Sequence, residues 1–295
     1  MKYSVQLIER FVSDYKLPIP IKNDEVLFMY YLDELEEDYK ALSKYEKLLS
    51  LIKERFNDNP DEFLKYYHST RNTIITDILS SEKYQAFNTM PMDKYGIKDK
   101  PNVSKNFYIS DNINGTFTSV DLKKANFQAL KYTGVLENES YDALVGKYTD
   151  LDYLKESKYT RQVIFGQLNP SRHITVERYM INEVRKIINR DDALICMSND
   201  ELIYTGELSI DKIPGFELNI EHFTLKGFNL VHNKQCKLFF RKDSEDKQKL
   251  MTVPVNFFPI VHKLLKGQPL NDFDRRLVYE GFDALLTGDY RIEAL

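Results

Sequence analysis

Two cysteines in 295 residues, Cys196 and Cys236, cannot build a disulfide framework, and their spacing is not that of a metal site. They read as reduced, buried thiols of an intracellular protein. The five histidines, at positions 68, 173, 222, 232 and 262, share no zinc-type interval and read as surface or core residues. No apolar run approaches a membrane span, and the opening "MKYSVQLIERF" lacks the apolar centre of a signal peptide. The expected partners therefore exclude a membrane, and the expected location is the cytoplasm, or a host's cytoplasm if the chain is viral. There is no P-loop, no dinucleotide fingerprint, and no Ser-His-Asp or Cys-His nucleophile pattern. Net charge is only −4, which excludes a coat of basic charge but leaves room for a local basic groove.

What is present is core-forming material. Hydrophobic residues make up 42% of the chain and aromatics 13%. Residues 1–90 read as helical: "DEVLFMYYLDELEEDYKALSKYEKLLSLIKERF" carries apolar residues at helical spacing, with Asn23 or Asp24 as its cap. With no sustained heptad, a helical bundle or cap region is expected there. Its tyrosines are expected to pack in a core, with stacking on bases or facing a protein partner as the alternatives. The Pro- and Gly-bearing stretch 88–102 reads as a linker. Residues 103–254 mix strands and helices, and 255–295 read as a helical tail.

Within 103–254, "NFYIS", "DNING" and "TFTSVD" read as strand, turn and strand, a hairpin ending at Asp121. "SRHITVERYMINEVRKIIN" reads as a helix capped by Ser171, with Val176, Met180, Val184 and Ile187 as its apolar stripe. "DALICMSNDELIY" reads as a hairpin turning at Ser198-Asn199-Asp200, and "IEHFTLKGFNLVHNKQCKLFFRKD" as a helix or loop followed by strands. The expected class is α+β: an antiparallel sheet with packed helices, a helical N-terminal region and a helical tail.

Asp121 ends one strand and Asp200 sits at a hairpin tip. Side by side, two partly buried carboxylates repel unless a cation neutralises them, and Mg²⁺ does so while keeping ligand positions for water and phosphate oxygens. Read singly, Asp121 caps a helix and Asp200 is a turn residue. Read together, with Glu201 assisting, they suit metal-dependent phosphoryl transfer. In "RQVIFGQLNPSRH", Arg161 is a fixed cation able to grip phosphate oxygens, Phe165-Gly166 offers a ring beside a residue without a side chain, and Arg172 adds charge. A buried helix or strand end explains the same apolar residues without any ligand.

The order "FTSVDLKKANFQ", "VIFGQLNPSRHITVERYMINEV", "MSNDELIY", "GFNLVHNKQCKLFFRKD" resembles the palm of reverse transcriptases over about residues 115–243. A second resemblance is to the palm of family A DNA polymerases, through "DLKKANFQAL", "RQVIFG" and "SNDELIY". Either resemblance implies a polymerase-like nucleotidyltransferase with nucleic acid and a nucleoside triphosphate as partners. It implies two Mg²⁺ ions, or Mn²⁺ in their place, on Asp121 and Asp200, with Glu201 beside them. Asn126 would face the sugar, Phe165 and Gly166 would line the nucleotide pocket, Arg161 would contact the triphosphate, and Phe127 and Arg172 would complete the substrate-binding set. The hairpin reads Asn-Asp-Glu rather than a double aspartate, and little chain remains for a thumb. The alternative implied is a catalytically silent palm derivative that binds or regulates.

Overall fold

The computed structural model describes residues 4–20, 24–232, 235–245, 247–272, 274 and 290–295. Helices and seven strands make it an α+β protein. The chain divides into two compact units, each built from separate stretches of sequence. The terminal unit holds Met1–Tyr67, Ser157–Tyr159 and Lys226–Leu295; the acid-bearing unit holds His68–Glu156 and Thr160–Leu225.

In the terminal unit two helices begin at side-chain caps, the second at the expected Asp24. Ser4 accepts from the amide of Leu7 ahead of helix Val5–Tyr15, and Asp24 accepts from that of Leu27 ahead of Glu25–Glu34. Their apolar faces meet through Phe11, Phe28 and Tyr45, whose rings pack edge-on 5.0–6.5 Å apart. Burying each such ring contributes roughly 2 kcal/mol. Asp14, fully buried, accepts from Tyr67 Oη at 2.8 Å and Ser157 Oγ at 2.7 Å and pairs with Arg10. A buried charge needs such satisfaction.

Four strands organise the acid-bearing unit: β1 (Thr116–Leu122), β2 (Leu194–Met197), β3 (Glu201–Thr205) and the first part of β4 (Leu218–His232). Their order is β2-β3-β1-β4, antiparallel throughout. β1 sits in the middle, with Val120 facing Leu202 on one side and Ile220 on the other. Side chains alternate between faces along each strand. Thr118, Val120, Leu122, Leu202 and Tyr204 occupy one face, and Phe117, Ser119, Asp121, Glu201, Ile203, Asn219 and Glu221 the other. Val176, Met180 and Val184 of helix Pro170–Ile188 are buried, as are Phe127, Ala129 and Leu130 of helix Ala125–Tyr132. The remaining strands, β5 (Gln235–Asp243), β6 (Gln248–Met251) and β7 (Tyr290–Ala294), belong to the terminal unit. β7 pairs with β4 from Phe228 to His232.

Several local expectations are corrected. Residues 106–115 form no strand: a 3₁₀ turn occupies Ser110–Asn112, and Phe107 is drawn instead onto the rings of Phe117 and Phe223 at 4.9 and 5.7 Å. β1 therefore pairs with β3 and β4 rather than in a local hairpin. "IEHFTLKGFNLVH" belongs to one long strand, whose buried side chains change parity at Gly227, from Phe223 and Leu225 to Phe228 and Leu230. Asn169, in the left-handed region at φ 51°, precedes Pro170 at the start of the long helix, and Ser171 only donates to Asn169 Oδ1. Ile187 leaves the buried stripe and is 57% exposed. Cys196 is buried, but Cys236 is exposed on β5. The tail contains helix Phe258–Leu265 and strand β7; residues 275–289 of that expected helical tail lie outside the described residues, as does Asn23.

Candidate functional site

Asp121 does not close β1; Leu122 follows it in the strand, and its amide donates to the Asp200 carbonyl at 2.9 Å. That bond joins the end of β1 to the hairpin between β2 and β3. In the register it fixes, Asp121 stands opposite Glu201 and, on its other side, opposite Asn219. Directly facing side chains on one sheet face lie about 5 Å apart at Cβ. The carboxylates that share a face are thus Asp121 and Glu201. Asp200, one residue earlier, lies in the turn before β3, outside the paired register.

Glu201 is oriented by Ser119, whose hydroxyl donates to its Oε1 at 2.6 Å. Glu221 stands opposite Ser119 and adds a third acid to the same face. Tyr108 lies beside them, and burial, then the charges of Glu201 and Glu221, push its phenol well above the ordinary range. The far end of this face is closed by Phe107, Phe117, Phe223 and Ile203, all buried. The acidic end, with Asp121, Glu201 and Glu221 half-exposed and Asn219 exposed, stays open to solvent. Among the described residues, no three His, Cys, Asp or Glu side chains converge closely enough to hold a metal by themselves.

Arg161 is the cation of this site. It projects from helix Lys158–Gly166, half-buried, with its guanidinium 5.9 Å from the Tyr141 ring centre. Burial lowers its pKa, opposed by the Tyr141 phenol and by the negative charges of Asp142 and Asp121. Its Nε is buried and has no hydrogen-bond acceptor among the described residues. Leaving such a donor unsatisfied costs about 1–3 kcal/mol. Lys124, in the left-handed region at φ 50°, pairs with Asp142 at 2.9 Å and lies over the Tyr141 ring.

The other residues implicated by the resemblance separate from this group. Phe127 and Phe165 are 2% and 0% exposed and pack with Tyr141 at 6.1–6.4 Å, so their rings build the core and offer no face to a ligand. Gly166 is exposed at a helix end, and no atom lies within 4 Å of where a Cβ would stand, so nothing there requires glycine. Asn126, in the first turn of its helix, uses its Oδ1 to accept from the next amide, that of Phe127, at 2.9 Å. Arg172 donates to the Met90 carbonyl and covers the Phe87 ring, holding the 80s helix rather than an acid-side ligand.

Asp200 points toward a different environment. Ser198 Oγ donates to it at 3.2 Å, while burial and then the charge of Glu177 raise its pKa. Glu177 is itself buried against His173, whose other ring nitrogen lies 3.1 Å from the Phe165 carbonyl. Asp200 lines a cleft of about 780 Å³ with Lys100, Lys105, Thr175, Arg178 and Asn199.

Sequence reading missed Ser119, Glu221, Tyr108 and Gln128. Gln128, 5% exposed, donates to the Lys123 and Glu217 carbonyls and accepts from the Glu217 amide, locking the end of β1 to the chain entering β4. An amide flanked by apolar residues just after a strand was the only signal for it. No helix among the described residues is long and apolar enough to cross a membrane. No protein-family model matches the chain, and no curated protein shows significant similarity to it.

Proposed function

We propose that the open acidic end of this sheet is the centre of a polymerase-like nucleotidyltransferase, acting on a nucleoside triphosphate and a nucleic-acid 3′ end. The observation that supports it most is the register placing Asp121 opposite Glu201 on a half-open face, with Arg161 close enough to feel Asp121. The proposal assigns the acid pair to Asp121 and Glu201 and gives Asp200 a lesser part. Two facing carboxylates suit Mg²⁺, or Mn²⁺, one ion or two, because such ions are commonly held by one or two carboxylates plus substrate phosphates. Bound there, the metal would supply charge neutralisation and a lowered pKa for an attacking hydroxyl.

The chain's own residues do the rest. Ser119 fixes the rotamer of Glu201, so the acid pair is pre-set. Arg161, short of one hydrogen-bond acceptor, offers its guanidinium to a phosphate oxygen as negative charge builds on the leaving group. Phe127, Phe165 and Tyr141 form the rigid floor beneath it.

Titration calorimetry with Mg²⁺ and Mn²⁺, and extension of a primer–template with labelled nucleotides, test this reading. Asp121→Asn is expected to abolish both signals and Asp200→Asn to retain metal binding. Extension unchanged in Asp121→Asn would refute the site. A second reading, a silent palm derivative that binds without turnover, is favoured by the short Ser119–Glu201 hydrogen bond, which occupies one oxygen of a needed ligand. Metal or nucleotide binding without extension would select it.

A further inference from the structure

The cleft beside Asp200 has its own chemistry. Its volume of about 780 Å³ lies within the range of small-ligand sites. Three cations line it, Lys100, Lys105 and Arg178, against the single carboxylate of Asp200. Among the described residues neither lysine has an acidic partner. Arg178 spends only its Nε, donated to Asn199 Oδ1 at 2.6 Å, so its terminal nitrogens remain for a ligand. That bond also holds the guanidinium to the β2–β3 turn. Asn102, Thr175 and Ser198 add hydrogen-bonding groups, while Ile97, Pro101, Val103 and Met197 form an apolar wall.

Unpaired like charges gathered around one concavity repel each other, and an anion relieves that repulsion. An apolar wall on the same cavity suits a flat, weakly polar body attached to the anion. Fixed guanidinium geometry matches phosphate oxygens in particular. We propose that this cleft is a binding site for a nucleoside polyphosphate, with the phosphates on Lys100, Lys105 and Arg178 and the base against the Pro101–Val103 wall. The site is separate from the Asp121–Glu201 pair: the lining comes from the 95–105 loop, the long helix and the turn, and includes neither Asp121 nor Glu201. It does not depend on the nucleotidyltransferase reading.

The test is titration of the full chain with ATP, followed by calorimetry, in EDTA so that metal-dependent binding at the acid pair is silent. Arg178→Ala and Lys105→Ala are each expected to weaken ATP binding about tenfold, the loss of one charge-assisted hydrogen bond. Asp121→Asn should bind as the wild type does. Circular dichroism and melting temperature confirm that each variant folds, and Arg178→Lys should recover part of the loss. No ATP binding in EDTA by folded wild-type protein overturns the proposal, as does equal weakening by Asp121→Asn. Binding of a dT oligonucleotide but not of ATP, lost in the same cation variants, overturns it in favour of a single-strand track. Failure here leaves the primer-extension result untouched, since that assay reads Asp121 and not the cleft cations.

Discussion

Replacing Glu201 by Gln tests the acid pair with little disturbance of shape. The side chain keeps its volume, and its amide oxygen still accepts from Ser119 Oγ. What changes is one negative charge facing Asp121. With the Cβ spacing of about 5 Å standing for their separation, two carboxylates repel by at most roughly 3 kcal/mol at an effective dielectric near 20, and by less than about 1 kcal/mol in water. Both are half-exposed, so the lower part of that span applies, about 1 kcal/mol. In EDTA, Glu201→Gln should therefore be more stable than wild type, raising the melting temperature by roughly 2 °C for a chain this long. In Mg²⁺ the order reverses. A site filled at ten times its dissociation constant stabilises the wild type by about 1.4 kcal/mol, and the variant loses most of that gain. Thermal melts of both proteins in EDTA and over a MgCl₂ series read both effects. If Glu201→Gln is destabilised in EDTA and Mg²⁺ shifts both proteins equally, the two acids do not act as a mutually repelling pair, and the reasoning fails.

Phe165→Ala empties a fully buried position between Phe127 and Tyr141 and should cost about 3–5 kcal/mol in urea unfolding; a ring lining a ligand pocket would instead lower nucleotide affinity with little loss of stability. Gln128→Ala removes three hydrogen bonds to backbone and should cost about 2–4 kcal/mol, with faster amide exchange at Lys123 and Glu217 as its local signature. Asp200 has a folded pKa above its unfolded value near 3.9, so the folded state binds more protons between the two. Stability should therefore fall as pH rises through that window, and Asp200→Asn should flatten the slope and be the more stable protein above it.

The helix after Asp24 was legible because its cap and apolar spacing are local: Asp24 needs only the amide of Leu27 three residues on. The β2–β3 hairpin was legible for the same reason, since its turn lies between two short strands close in sequence. The 107–122 stretch was misread because its pairing is remote. Local alternation suggests a hairpin, but Phe107 and β1 find their partners in β3 and β4, about a hundred residues on.

The amino-acid sequence alone determined the α+β class, most of the helices, and the expectation that the ends of two strands bring acids together. It did so because composition, caps and periodicity act over a few residues. Only the tertiary structure decided which acids share a face, since a one-residue step along a strand reverses the side on which a side chain stands. Glu201 enters the register opposite Asp121 while Asp200 stays in the turn, and the Leu122–Asp200 hydrogen bond that ties that turn to β1 joins residues far apart in the chain. Burial likewise turned Phe127 and Phe165 from candidate ligand contacts into core, because which aromatic rings end inside depends on the helices and strands that close around them.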